Sequence, residues 1–102
     1  MMKTKFILKE AKDAYRLNDL VVDLITESRL EIEMKGGGGD LEEGIDFNVY
    51  DFRLNRKKVG HFEYRLRPQG YKIKFEIDIP EIYDQIVARI TKLHPGLLEP
   101  VG

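Results

Sequence analysis

The sequence predicts an α+β fold: one mostly antiparallel sheet of four or five strands, in the order β-α-β-β-β-β-α, with two helices on one face. Three observations carry that expectation. Residues 10–27 and 80–93 repeat apolar side chains near the 3.6 period of an amphipathic helix. Between them, four stretches alternate apolar with polar residues, as strands buried on one side do. Tight turns join these stretches, so the sheet is antiparallel and its single apolar face is left for the helices to cover.

Residues 3–8 read as a short strand with Phe6 and Leu8 on one side. Over 10–27, Ala11, Ala14, Tyr15, Val21, Leu24 and Ile25 form the apolar stripe, and Lys12, Asp13, Arg16, Asp19, Asp23 and Glu27 the polar face. Asn18-Asp19 could instead cap a shorter helix, because short polar side chains accept the free N–H groups of a first turn; one helix is the favoured expectation. At Arg29 the period becomes two, and Leu30, Ile32 and Met34 alternate with charged residues as far as Lys35. Gly36-Gly37-Gly38-Gly39 then ends the pattern. With no side chains to bury and high backbone entropy, residues 36–40 read as a flexible loop.

Residues 45–54 form a strand with a fault in its alternation. Ile45, Phe47 and Val49 share one parity, and Tyr50, Phe52 and Leu54 share the other. A β-bulge near Val49-Tyr50 would turn all six inward; without one the strand is apolar on both faces. A turn around Asn55 leads into 59–66, where Phe62, Tyr64 and Leu66 share a face. Arg67-Pro68-Gln69-Gly70 is a second tight turn. Tyr71, Ile73, Phe75, Ile77 and Ile79 then alternate without interruption. Pro80 suits the first turn of a helix, Ile82, Ile86, Ile90 and Leu93 give its apolar stripe, and His94-Pro95-Gly96 stops it before a tail over 95–102.

With 102 residues, 42% hydrophobic and 34% charged, the chain fits a single domain over 1–102 with a core of its own. It has no cysteine, which excludes a disulfide framework and thiolate metal sites and fits a reducing, cytoplasmic setting. No apolar run is long enough to span a bilayer, so no membrane partner is expected. The net charge of −1 hides an uneven layout. Residues 53–74 hold Arg53, Arg56, Lys57, Lys58, Arg65, Arg67, Lys72 and Lys74 against the single acid Glu63, while 41–51 hold Glu42, Glu43, Asp46 and Asp51 with no base.

No signature of phosphate, dinucleotide or zinc binding, or of a serine nucleophile, is present. Of the two histidines, His61 stands beside Glu63 on a polar strand face and His94 at a helix end; neither spacing makes a metal site, and no cofactor or catalytic residue is assigned. Two surfaces remain. Arg53, Arg56, Lys57, Lys58, Arg65, Lys72 and Lys74 could follow a phosphate backbone or bind another anion, although Glu31, Glu33, Glu63 and Glu76 share that face and would neutralise much of it. Ile45, Phe47 and Val49 would form an exposed apolar patch, the mark of a protein interface, if no bulge turns them inward.

Residues 6–21 (FILKEAKDAYRLNDLV) resemble the first strand and helix of the GCN5-related N-acetyltransferases. Val59-Gly60-His61-Phe62-Glu63-Tyr64 is similar to that family's third strand, and Ile79-Pro80-Glu81-Ile82-Tyr83 to the entry of its cofactor helix. The resemblance implies a topology covering the first two-thirds of such a domain. It carries over no catalytic residue. The glycine-rich R/Q-x-x-G-x-G/A turn that holds acetyl-CoA pyrophosphate in that family is replaced here by Asp84-Gln85-Ile86-Val87-Ala88-Arg89, and 29–35 reads as strand where the family has helix. The expected function is a small non-enzymatic binding or regulatory protein acting through protein contacts, with self-association as one form. Nucleic-acid binding through 53–74 and a reduced acetyltransferase-like protein are the alternatives.

Overall fold

The computed structural model describes residues 2–3, 6, 8, 10–40 and 42–98. In chain order the elements are β1 (Met2–Lys3), α1 (Ala11–Glu27), β2 (Glu31–Asp40), β3 (Ile45–Leu54), β4 (Lys57–Arg67), β5 (Gly70–Ile77) and α2 (Pro80–Leu93). The sheet runs β1-β5-β4-β3-β2, with every neighbouring pair antiparallel. This is the α+β class the alternation predicts, built on a four-strand meander. The fifth strand is minor: Met2 and Lys3 pair with Ile77 and Glu76. Of the strand expected over 3–8, Thr4, Lys5 and Ile7 lie outside the described residues, and Phe6 makes an isolated antiparallel bridge to Leu98.

Both helices cover one face of the sheet. Leu17, Val21 and Ile25 of α1 and Ile86 and Ile90 of α2 are almost wholly buried with Phe52, Phe62, Phe75 and Ile77 from the inward parity of β3, β4 and β5. Burying one such side chain contributes about 1.5–3 kcal/mol. The rings form a row across the strands: Tyr50 stacks with Phe62 at 6.4 Å, and Phe62 meets Phe75 edge-on at 6.4 Å. Gly60 is set beneath this row. A Cβ there would lie 2.8 Å from the Glu76 carbonyl oxygen and 3.0 Å from Phe52 Cδ2, so the close approach of β4 and β5 needs a residue without a side chain.

The helix ends follow local chemistry. At the start of α1 the Glu10 N–H donates to Asp13 Oδ2 at 3.1 Å, and the helix passes through Asn18-Asp19 without a break. It closes with Arg29 in the left-handed region (φ 62°), where the Arg29 N–H reaches the Thr26 carbonyl at 3.0 Å. Pro80 opens α2 as expected. The start of the tail is held in place: Leu97 is buried and its N–H donates to the His94 carbonyl at 3.1 Å. Residues 99–102 lie outside the described residues.

Two local expectations are corrected or resolved. The glycines do not form a loop over 36–40. Gly36, Gly37, Gly38 and Gly39 pair with Val49, Asn48, Phe47 and Asp46 as the second half of β2. The Phe47 ring supplies the cover that absent side chains cannot: a Cβ on Gly36 would touch Phe47 Cε2 at 3.5 Å, and one on Gly38 would touch Cε1 at 3.9 Å. Gly38 (φ 138°) and Gly39 (φ 152°) hold backbone angles that favour glycine, so this half-strand depends on glycine rather than merely tolerating it. The second concerns β3, which keeps unbroken alternation through Val49-Tyr50. The register slip lies opposite, on β2, where Lys35 is the extra residue between the Met34–Tyr50 and Gly36–Val49 pairs. The strand is therefore apolar on both faces.

Candidate functional site

The outer face of the sheet, away from the helices, carries the outward parity of each strand. From β3 this is Ile45, Phe47, Val49, Asp51 and Arg53; from β4, His61, Glu63, Arg65 and Arg67; from β5, Lys72, Lys74 and Glu76. Register sets the neighbours. Arg65 sits between Phe47 and Lys72, Glu63 between Val49 and Lys74, and His61 between Asp51 and Glu76. The apolar patch and the basic set, separate in the sequence, thus share one surface.

An ionic row crosses this face. His61 is held at both ring nitrogens, with Nδ1 2.8 Å from Asp51 Oδ1 and Nε2 3.1 Å from Glu63 Oε1. Arg65 Nε donates to Glu63 Oε2 at 2.8 Å, Arg53 Nε to Glu33 Oε2 at 2.5 Å, and Lys35 Nζ to Glu33 Oε1 at 3.2 Å. Lys58 Nζ lies 3.4 Å from Asp51, and Lys74 Nζ 3.6 Å from Glu76. Asp51 and Glu63 are buried among these long side chains. Burial alone would raise their pKa values, but the hydrogen bonds and positive charges outweigh it and hold both carboxyls below their ordinary values; His61 and Lys58 act on Asp51, Arg65 and His61 on Glu63. On the helix side, burial pushes the Tyr64 phenol up to about 12, and Asn48 Nδ2 donates to its oxygen at 2.8 Å.

Both ring nitrogens of His61 lie within hydrogen-bond distance of carboxylates, which fixes the ring within the ionic row. Among the described residues no group of three or more His, Asp or Glu side chains is disposed to hold a metal ion. His94 ends α2, where its N–H donates to the Ile90 carbonyl at 2.8 Å.

The seven basic residues singled out by the sequence divide into two groups. Arg53, Lys58, Arg65 and Lys74 have carboxylate partners. Arg56, Lys57 and Lys72 have no acid within ion-pair distance among the described residues. Arg56 and Lys57 stand at the β3–β4 turn, with Asn55 and Arg56 both at positive φ (52° and 68°). Lys72 faces Arg65 directly across the strands. With Arg67, Gln69, Gly70, Glu63 and Tyr71 they line an open groove of about 630 Å³ at the β4–β5 hairpin. Arg67 belongs to the charge surplus of 53–74 but not to the seven; its signal was its parity with Arg65, which places both on the groove side.

The Ile45, Phe47 and Val49 patch stands beside this groove. Ile45 is 36% exposed, and Phe47 and Val49 are half-buried. The Arg65 guanidinium lies over the Phe47 ring, 5.6 Å from its centroid, so one side chain joins the patch to the groove.

No family model, curated protein or solved structure matches the chain. The acetyltransferase resemblance therefore remains an expectation of the sequence alone. Residues 84–89 lie inside α2, and among the described residues no helix is long and apolar enough to cross a membrane.

Proposed function

We propose that this chain is a small non-enzymatic binding protein that acts through protein contacts made by the outer face of its sheet. The observation that carries this reading is the placement of Ile45, Phe47 and Val49 on the face opposite the helices, against a β2 edge that is nearly free of side chains. Apolar side chains presented outside a sheet mark an interface, and Gly36 to Gly39 add no side chains of their own to screen them. A cytoplasmic setting fits the cysteine-free composition.

The test is affinity capture from an extract of the source organism with the wild type and with Ile45→Asp/Val49→Thr, a charge at the exposed position and a near-isosteric polar change at the half-buried one. A protein recovered by the wild type and lost with the variant supports the reading; equal recovery by both overturns it. The open basic groove favours one second reading, nucleic-acid binding. Retention on a heparin column at low salt, lost in Arg67→Ala/Lys72→Ala, would carry it.

A further inference from the structure

The acidic and basic blocks of the sequence meet at one end of the sheet. The β2–β3 turn carries Asp40, Glu42 and Glu43, and the β4–β5 hairpin carries Arg65, Arg67 and Lys72. The turns adjoin: a Cβ on Gly44 would lie 3.6 Å from Pro68 Cγ. The Asp40 carboxylate is committed to its own turn, accepting the N–H groups of Glu42 at 3.0 Å and Glu43 at 3.4 Å. Glu42 and Glu43 are exposed, and neither has an ion-pair partner among the described residues. The same holds for Arg67 and Lys72 in the groove. An acidic projection and a basic depression therefore stand side by side, and neither neutralises the other within the chain.

We infer that this end of the sheet recognises a second copy of the chain: Glu42 and Glu43 of each copy seat in the groove of Arg65, Arg67 and Lys72 on the other. A two-fold contact requires a self-complementary patch, and adjacent knob and groove of opposite charge meet that requirement. The groove is also short of counter-charge. Arg65 and Lys72 are directly opposite on neighbouring strands, an unfavourable like-charge pair, and Glu63, the acid that lines the groove among the described residues, is shared between His61 and Arg65. Two further carboxylates would relieve it. A long polyanion fits less well, because a strand tracking beyond the groove meets the carboxylates of Glu63, Asp51 and Glu76 within two rungs. Ile45, at the end of the acidic turn, extends the contact with apolar surface. This inference rests on the protein-contact reading above and names the partner.

Analytical ultracentrifugation of the full chain tests it, with two charge-reversed variants at exposed positions. One is Arg67→Glu/Lys72→Glu and the other Glu42→Lys/Glu43→Lys; wild-type-like circular dichroism spectra and cooperative thermal melts establish that both remain folded. The wild type is expected to dimerise with concentration and to weaken roughly tenfold or more as salt rises from about 0.05 to about 0.5 M. Each variant alone is expected to be monomeric. Their equimolar mixture restores the dimer, because each reversed groove then meets a reversed turn. A monomeric wild type, a dimer that survives in either variant alone, or a mixture that stays monomeric overturns the inference. If the wild type is monomeric while Ile45- and Val49-dependent capture of another protein persists, only the second-copy assignment fails. If both experiments fail, the protein-contact reading falls with it.

Discussion

Alanine substitution at two of the four glycines separates a built half-strand from a loop, because the structure predicts opposite signs for them. At Gly36 a new Cβ lies in ordinary contact with Phe47 Cε2 at 3.5 Å, and the backbone is not in the positive-φ region. Gly36→Ala removes unfolded-state freedom and adds a contact, so it should stabilise the protein by about 0.5–1 kcal/mol. Gly39 differs on both counts. Its φ is 152°, and a Cβ would fall well inside contact distance of the Ile45 carbonyl oxygen, with the Asp46 Cα 2.8 Å away. The obstacle is backbone, which cannot rotate aside as a side-chain tip can. Overpacking costs about 1–3 kcal/mol, and the unfavourable φ about 1–2 more.

The two variants should therefore differ by roughly 2.5–6 kcal/mol. With a urea slope of about 1–3 kcal/mol/M, their unfolding midpoints should be separated by about 1 M or more, with Gly36→Ala above the wild type and Gly39→Ala below it. Equilibrium urea denaturation followed by circular dichroism reads both midpoints. Coincident midpoints for the two variants and the wild type would show that residues 36–39 behave as a loop, and the pairing of β2 with β3 beyond Met34 would have to be abandoned.

Two other outcomes are expected. Arg56 occupies a left-handed turn position (φ 68°) that favours glycine after Asn55, so Arg56→Gly should raise the urea midpoint by the equivalent of about 0.5–1 kcal/mol; an unchanged or lower midpoint would show that Arg56 stabilises the turn through its own contacts. The carboxyls of Asp51 and Glu63 have folded pKa values below their ordinary ones, so they stabilise the protein above the unfolded values, about 3.9 and 4.3, and that contribution is lost as pH falls through the lower folded values. Asp51→Asn/Glu63→Gln should be less stable than the wild type at pH 7 and should lose less stability on acidification, measured as melting temperature against pH; parallel curves would refute the assignment.

The legible parts of the fold are those in which side chains carry the period. Ile86 and Ile90 on α2, and Phe75 and Ile77 on β5, are buried as their spacing predicts because each reports its own orientation. Gly36 to Gly39 carry no such report. What makes them a strand is Phe47, which belongs to the neighbouring strand and becomes relevant only once β2 and β3 are paired. The fault in β3 was visible, but its resolution was not: the alternation of Ile45 to Leu54 fits either a bulge or a two-faced strand, and the slip that decides the matter sits at Lys35. The same limit hid half of the ionic row. His61 beside Glu63 could be read from spacing, whereas Asp51 reaches His61 only through the β3–β4 register.

Under the proposed protein-contact reading, that row favours selective over diffuse binding on a face with so many charges. Asp51, His61, Glu63 and Arg65 are tied by hydrogen bonds of 2.8 to 3.1 Å, and Arg65 extends the chain of contacts onto the Phe47 ring. Groups fixed in this way need not be ordered when a partner binds, which lowers the entropic cost of association. They also satisfy one another, so they attract a partner weakly. Among the described residues, charges of this face without an ion-pair partner lie toward its margins: Arg56, Lys57 and the exposed Glu31 at one end of the sheet, Glu42, Glu43, Arg67 and Lys72 at the other. At the second end, turns of opposite sign adjoin. The near-zero net charge is thus compatible with strong local attraction, and the attraction is directed by the separation of Glu42 and Glu43 from the groove rather than by an overall field.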